Sequence, residues 1–236
     1  MAIKAVLFDL DGTLLPMDQE QFMKLYFGGL VKKLAPHGYD PEKLVDSIWA
    51  GTKAMIKNNG EKTNEEVFWN CFCNLFGEAS RKDEPIFDDF YRNEFSAAKV
   101  ACGFAPKAKE LVEGLKNQGL TLILATNPLF PPIATETRIG WAGLSPDDFV
   151  LYTTYDNSSY CKPNPKYYEE ILSKTGFLPE ECLMIGNDAT EDMIAETLGM
   201  KVFLLTDCLL NTKNVEITRY PQGNFDDLRR YIDTLL

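Results

Sequence analysis

Residues 4–13 read KAVLFDLDGT, and this stretch decides the fold. Four apolar residues, from Ala5 to Phe8, are followed at once by acids and a glycine, the pattern of a strand that ends in an abrupt turn. A short strand that is apolar at every position is typical of a parallel sheet covered on both faces. The stretch therefore predicts a buried parallel strand with Asp9 and Asp11 at its carboxyl end.

Strand-like and helix-like segments alternate from about Pro106 onward. The apolar and amphipathic patterns predict strands at residues 120–125, 149–153, 182–185 and 201–205, and helices at about 106–119, 166–172 and 191–198, with a last helix after Asn224. Such alternation predicts helices on both faces of one parallel sheet. The predicted fold class is α/β, a doubly wound parallel sheet with a Rossmann-like core.

Aromatic side chains recur at helical spacing before this region, as at Phe68, Phe72 and Phe76, without clear strand signals. We expect residues 17–100 to form an inserted, all-helical cap domain whose aromatic side chains make its own core.

The predicted domain organisation follows from these two patterns. Residues 1–16 and 101–236 form the α/β core, and the cap lies between them. The linkers near Leu15-Pro16 and Cys102-Gly103 are the predicted hinges between the two domains.

Composition excludes several classes of protein. The chain has 236 residues, of which 45% are hydrophobic and 25% charged, as in ordinary globular proteins. Acidic residues outnumber basic ones by 35 to 24, so the net charge of −11 argues against a nucleic-acid partner. No apolar run approaches the roughly 20 residues that cross a bilayer, so no membrane association is expected. No obligate protein partner is evident.

The cysteines indicate the compartment. There are six, and only Cys71 and Cys73 are close in sequence, with no second Cys or His cluster to complete a zinc site. The first residues run straight into a strand without a signal-peptide pattern. We expect buried, reduced thiols and a cytoplasmic protein.

Polar residues follow the apolar runs, where an open parallel sheet binds its ligands. They are Asp9 and Asp11, then Thr126 and Asn127, then Asp188. Three carboxylates in one crevice repel one another unless a cation joins them, and Mg²⁺ prefers such oxygen ligands and is often shared with a substrate phosphate. Lys162, just before a predicted helix, would add a second positive charge.

The single histidine, His37, falls in a predicted loop of the cap, so a Ser-His-Asp or Cys-His mechanism would depend on that residue alone. Carboxylates are then expected to transfer protons, and an aspartate can be the nucleophile.

Two of these motifs, each taken alone, also have a simpler interpretation. The alternating acids of residues 9–11 could begin a calcium loop, although Leu14 stands where that loop needs glycine. Thr126 and Asn127 could merely cap a helix that starts near Pro128.

Four segments in order resemble the motifs of the haloacid dehalogenase superfamily of phosphohydrolases. They are DLDGT at residues 9–13, Thr126-Asn127, Lys162-Pro163 and GNDATED at residues 186–192. The first motif is specific, and the others gain weight from their order. The resemblance covers the whole predicted core, and the predicted cap lies where the phosphatase branch of the family carries one, between the first and second motifs.

The resemblance implies roles for these residues. Asp9 would be the nucleophile that takes the phosphoryl group, and Asp11 would protonate the leaving oxygen and then activate water. Mg²⁺ would be held by the Asp9 carboxylate, the Asp11 backbone carbonyl and Asp188.

The resemblance also assigns supporting residues. Thr126 would bind the phosphoryl oxygens with help from Asn127, and Lys162 would balance the charge, with Lys166 as the alternative lysine. Asp192 would orient the metal loop, and Asn187 stands where the family often has Gly or Asp, so it offers only a neutral oxygen.

The predicted function is that of a Mg²⁺-dependent phosphomonoester hydrolase, acting on a small phosphorylated metabolite through an aspartyl-phosphate intermediate. Asp11 argues against the dehalogenase branch, whose members lack an acid there. A sugar-phosphate phosphomutase and a non-catalytic phosphate-binding or regulatory protein are the alternatives.

Overall fold

The computed structural model describes residues 2–236 and contains one six-stranded sheet. Its strands are β1 (Ala5–Phe8), β2 (Thr121–Leu124), β3 (Leu151–Tyr152), β4 (Cys182–Gly186), β5 (Lys201–Leu205) and β6 (Gln222–Gly223). The strand order is β3-β2-β1-β4-β5-β6, and every neighbouring pair is parallel. The predicted α/β class is confirmed, and the stretch that decides the fold is a central strand.

Eight α-helices accompany the sheet in residues 2–236. They are α1 (Gln19–Leu34), α2 (Pro41–Ile56), α3 (Asn64–Phe76), α4 (Glu84–Arg92), α5 (Pro106–Asn117), α6 (Pro132–Trp141), α7 (Pro165–Thr175) and α8 (Phe225–Asp233). Six shorter 3₁₀ segments lie at Ala35–His37, Glu78–Asp83, Glu94–Ala101, Pro146–Asp148, Pro179–Glu181 and Met193–Leu198.

Three elements differ from the sequence-based expectation. Helix α6 was not predicted, because the prolines that precede it resemble a loop; Pro132 in fact occupies the first turn, where its missing N–H costs nothing. Strand β6 has only two residues and so no pattern of its own. The segment Met193–Leu198 is 3₁₀ rather than α-helical, although it ends at Gly199 as expected.

Helices α1–α4 lie between β1 and α5 in the sequence and bury an aromatic core. The Phe72 ring lies edge-on to Trp69 and Phe87 and stacks on Phe68, with centroids 5.5 to 5.8 Å apart. Such arrangements suit the ring quadrupole and stabilise beyond area burial alone. The expected cap boundaries at residues 17 and 100 stay a prediction.

The chain enters and leaves this helical segment at one place. The N–H of Gly103 donates to the Pro16 carbonyl at 2.8 Å, and that of Asp18 donates to the Ala101 carbonyl at 2.9 Å. Met17 forms an antiparallel bridge with Cys102 between them. The two predicted hinge segments therefore lie side by side.

The six cysteines are free thiols, three of them buried and three half-buried. No helix within residues 2–236 is long and apolar enough to cross a membrane.

Candidate active site

The predicted site residues meet at the carboxyl edge of the sheet. A cavity of about 230 Å³ opens there, and seven of them line it: Asp9, Asp11, Thr126, Asn127, Asn187, Asp188 and Asp192. The eighth, Lys162, is bonded to two of these carboxylates. The parallel topology brings them together because each follows a strand or precedes a helix at the same edge.

Asp9 directly continues β1, and its N–H donates to the Ile185 carbonyl of β4 at 2.9 Å. The residue is 7% exposed. One carboxylate oxygen accepts from Lys162 Nζ at 2.9 Å, and the other accepts from the Thr13 hydroxyl at 3.1 Å. The two contacts fix the orientation of the carboxylate group.

Lys162 is 1% exposed and precedes α7, joined to Pro163 by a cis peptide bond. Its Nζ donates to Asp192 Oδ1 at 2.6 Å as well as to Asp9. Although burial lowers the pKa of Lys162, the charges of Asp192 and Asp9 raise it well above its usual value. Lys166, the alternative, is exposed on α7 with its Nζ 5.6 Å from the Tyr160 ring, so the structure brings only Lys162 to Asp9.

Asp192 ties Lys162 to the loop after β4. Its second oxygen accepts the Asp188 N–H at 2.9 Å. A Cβ on Gly186 would lie 2.0 Å from that oxygen, so glycine alone leaves room for the carboxylate. The Asp188 side chain in turn accepts the N–H groups of Thr190 and Glu191 at 2.7 and 2.8 Å, which shapes the loop.

Asn187 joins two loops. Its oxygen lies 3.0 Å from the Thr13 hydroxyl and shares that one donor with Asp9, and its nitrogen donates to the Cys208 carbonyl at 2.7 Å. A Cβ at Gly12, where φ is +89°, would lie 2.3 Å from the Asn187 nitrogen. Glycine is therefore required there on two grounds, the left-handed backbone and the close approach.

Thr126 and Asn127 follow β2 closely. The Thr126 carbonyl accepts two hydroxyl groups, from Thr153 at 2.6 Å and Tyr167 at 2.9 Å. The Asn127 nitrogen donates to Glu191 Oε2 at 3.0 Å. Because α6 begins at Pro132, the interpretation of these two residues as a helix cap is wrong.

Arg138 is a site residue that the sequence did not reveal. It lies on α6, is 1% exposed, and donates from Nη1 to Asp11 Oδ2. Its guanidinium also lies 4.5 Å from the centroid of the Phe130 ring. Since α6 itself was not predicted, no signal in the sequence pointed to Arg138.

Asp11 keeps its other oxygen, Oδ1, buried without a hydrogen-bond partner among residues 2–236. Burial raises the pKa of Asp11, while the Arg138 charge opposes the shift. An unpartnered buried carboxylate oxygen is costly, so the site favours a further ligand.

The charge of the site fits a hard divalent cation. Five carboxylates meet two cations: Asp9, Asp11, Asp188, Glu191 and Asp192 against Arg138 and Lys162. Excess carboxylates are suitable ligands for Mg²⁺. Across the described chain, however, no three His, Cys, Asp or Glu side chains converge closely enough to hold a metal by themselves. Mg²⁺ also accepts backbone carbonyls and water as ligands.

Comparison with known proteins identifies the class. The sequence model of the haloacid dehalogenase-like hydrolases matches residues 3–195, and the chain belongs to this family. A phosphoglycolate phosphatase of Vibrio vulnificus is 27% identical over 237 residues, covering 99% of this chain and 96% of the relative. A glyceraldehyde 3-phosphate phosphatase of Methanothermobacter thermautotrophicus is 24% identical over 221 residues, covering 92% of each.

Solved structures agree with the fold. A HAD phosphatase from Thermococcus onnurineus has a TM-score of 0.59 at 21% identity and covers 98% of both chains. The L-2-haloacid dehalogenase of Xanthobacter autotrophicus also has a TM-score of 0.59, at 16% identity, over 99% of this chain and 100% of its own. The predicted family membership and hydrolase class are confirmed, and the relatives' names agree with the phosphatase branch.

Proposed function

We propose that the protein is a Mg²⁺-dependent phosphomonoesterase that works through an aspartyl-phosphate at Asp9. The observation that carries this proposal is the environment of Asp9: Lys162 and Thr13 each hold one oxygen of its carboxylate, at the edge of a cavity that Asp11 also lines. A charged, oriented carboxylate next to a second carboxyl group supports covalent catalysis by aspartate.

The first half of the reaction transfers the phosphoryl group. A carboxylate oxygen of Asp9 attacks phosphorus, the bond from phosphorus to the leaving oxygen breaks, and Asp11 gives that oxygen a proton. In the second half, a water molecule attacks phosphorus while Asp11 takes its proton. The bond to Asp9 then breaks, which releases inorganic phosphate and restores both carboxyl groups.

Lys162 and Thr126 stabilise the transferring group. The buried Lys162 charge lies against Asp9, and Thr126 lines the cavity with its backbone held by two hydroxyl groups. Preorganised donors of this kind cost no rearrangement during the reaction. Asp9, the Asp11 carbonyl and Asp188 would hold Mg²⁺, which neutralises charge on the phosphoryl oxygens. Asp192 and Asn187 position these groups, and Asn127 assists Thr126.

The substrate class is a small phosphorylated metabolite. The relatives are named for phosphoglycolate and glyceraldehyde 3-phosphate, both of which fit this description. A cavity of about 230 Å³ has room for a phosphoryl group and a few further atoms, and not for a macromolecule.

Hydrolysis of p-nitrophenyl phosphate tests the proposal. We expect activity with Mg²⁺ that is lost with a chelator and falls by about 10⁴-fold or more in Asp9→Asn, because the nucleophile is gone. Asp233→Asn, at an exposed carboxyl group of α8, is the matched control and should keep full activity.

The variant Asp11→Asn separates the two halves of the reaction, phosphoryl transfer to Asp9 and hydrolysis of the phosphoenzyme. p-Nitrophenolate leaves without a proton, so this variant should release one equivalent and then stall as a phosphoenzyme visible by mass spectrometry.

Activity that survives Asp9→Asn would overturn the mechanism. Phosphoryl transfer to a sugar phosphate instead of water would indicate the phosphomutase, and a folded protein inert towards every ester would indicate the non-catalytic alternative.

A further inference from the structure

A second cavity, of about 190 Å³, lies between helices α1–α4 and the α/β core. The helices line it mainly with apolar and aromatic side chains, and the core closes it with Leu129, Phe130, Pro131 and Tyr155. An engineered apolar cavity of about 150 Å³ in another protein holds benzene. This cavity is therefore large enough for a ring-sized apolar group.

The apolar cavity adjoins the acidic one. Leu129 and Phe130 line both. The Phe130 ring lies against the guanidinium of Arg138, which pairs with Asp11. Leu129 and Phe130 are thus a wall common to the apolar cavity and to the cavity of Asp11, the group proposed to protonate the leaving oxygen. A leaving group bonded to that oxygen would extend towards the apolar cavity.

One wall of this cavity carries a buried hydrogen-bond donor that is poorly satisfied. Trp69 is 4% exposed, and its Nε1 is buried without a hydrogen bond of normal geometry within residues 2–236, although the Tyr155 hydroxyl is close by. A buried donor without a well-aligned acceptor destabilises the structure. An apolar guest that also carries an acceptor atom would remove this cost.

The charged residues at the apolar cavity disfavour a leaving group that carries a carboxylate. Glu84 and Asp88 line it, and its lining contains neither lysine nor arginine. Arg81 lies with its guanidinium 4.7 Å from the centroid of the Trp69 ring, and it is paired with Glu65 at 3.3 Å and with Glu84 at 3.4 Å. Asp88 makes no ion pair with the part of the chain that the structure describes. In the adjoining acidic cavity, the Arg138 charge is already paired with Asp11. A carboxylate on the leaving group would meet acids and no available cation.

We propose that the apolar cavity is the leaving-group subsite, and that the substrates are phosphate monoesters of apolar, ring-sized alcohols that carry no carboxylate. This inference rests on the proposed function. It separates the chain from the relatives named for phosphoglycolate, because glycolate is a small carboxylate without an apolar body.

A series of esters tests the subsite through kcat/KM for phosphate release. Burying a ring gains more than the 1.4 kcal/mol that equals a tenfold change, so benzyl phosphate should exceed ethyl phosphate by about tenfold or more. A carboxylate on the ring should reverse that gain, so 4-carboxybenzyl phosphate should fall below benzyl phosphate by about tenfold. Phosphoglycolate should be among the poorest substrates.

Two variants probe the cavity walls. Asp88→Asn should narrow the gap between the benzyl and 4-carboxybenzyl esters, whereas Asp46→Asn, an exposed acid on α2 outside the cavity, should leave that ratio unchanged. Met23→Trp should fill the cavity and lower the ratio of benzyl to ethyl ester. Ratios between substrates are insensitive to the fraction of enzyme that folds.

Direct binding gives a readout that needs no turnover. Trp49 and Trp69 line the cavity, so benzyl alcohol should change tryptophan fluorescence saturably in the wild type and less in Met23→Phe, which fills space without adding a tryptophan. If ethyl and benzyl phosphates react equally and benzyl alcohol does not bind, the subsite is overturned while the phosphatase stands. If no ester releases phosphate with Mg²⁺ present, the proposed function fails, and the inference fails with it.

Discussion

The core and the cap bury different kinds of side chain. Every charged side chain buried in the described chain belongs to the core: Asp9, Arg138, Lys162, Glu181 and Asp192. The helical segment buries rings instead, and its buried polar side chains are uncharged: Ser47, Asn58, Asn64 and Ser80. A buried charge is costly unless a partner holds it, whereas apolar packing is non-directional. The core therefore holds its buried charges in directional hydrogen bonds, whereas the helical segment is held mainly by the packing of rings.

Among the changes that compare these two regions, the largest effect is expected from Lys162→Met. It leaves Asp9 and Asp192 buried without their cation, so the free energy of unfolding should fall by about 3–5 kcal/mol. Loss of the same charge should lower kcat by about 10³-fold. Urea denaturation and p-nitrophenyl phosphate hydrolysis measure the two effects.

Lys166→Met is the matched control, since that lysine is exposed four positions along the chain. It should change neither quantity appreciably. If Lys162→Met were as stable and as active as the wild type, the ion pairs of Lys162 with Asp9 and Asp192 would contribute neither to stability nor to catalysis.

A smaller effect is expected from Arg138→Met. Asp11 loses its partner, so the protein should lose about 3 kcal/mol of stability. The carboxyl group itself remains, so kcat should fall by about 10- to 100-fold, less than on removal of Asp11. The same two assays apply, with Arg229→Met as an exposed control on α8. An unchanged kcat would mean that Arg138 serves the fold alone.

The smallest effect is expected at the uncharged contact between cap and core. Asn64 is fully buried at the start of α3, and its side chain reaches the carbonyls of Pro128 and Tyr160 at 3.3 and 3.4 Å. Asn64→Ala should cost about 1–3 kcal/mol by leaving polar groups unpaired. The core charges are untouched, so kcat should change far less than in Lys162→Met.

Asn70→Ala, at an exposed position of the same helix, is the control in urea denaturation. A loss of stability at Asn64 as large as that at Lys162 would remove the distinction between the two halves of the molecule.

The same contrast explains what the sequence could predict. The strands and the residues after them were predictable because the signals are local: an apolar run, then an acid, as at Asp9, or a polar pair, as at Thr126-Asn127. Parallel topology then brings those strand ends to one edge. The pairing of Arg138 with Asp11 joins residues 127 positions apart, on a helix whose start is obscured by prolines. No local pattern contains that information.

The apolar cavity could not be predicted for a related reason. Aromatic spacing indicated helices with buried rings, and most of the rings are buried, although Trp49 is 42% exposed. The position of the cavity, and the presence of Trp69 and Asp88 in its lining, depend on how four helices pack against one another and against residues 129–131. That is a property of the assembled structure.

The two linkers, near Pro16 and Gly103, lie side by side, so the helical segment starts and ends at the same place on the core. The Pro16 carbonyl and the Gly103 N–H are one hydrogen bond apart, so whatever lies between them can be exchanged without altering the path of the chain on either side. Recombination at this point would join a different insert to the same sheet and the same charges. Descendants of such an event would keep one reaction and acquire another range of substrates.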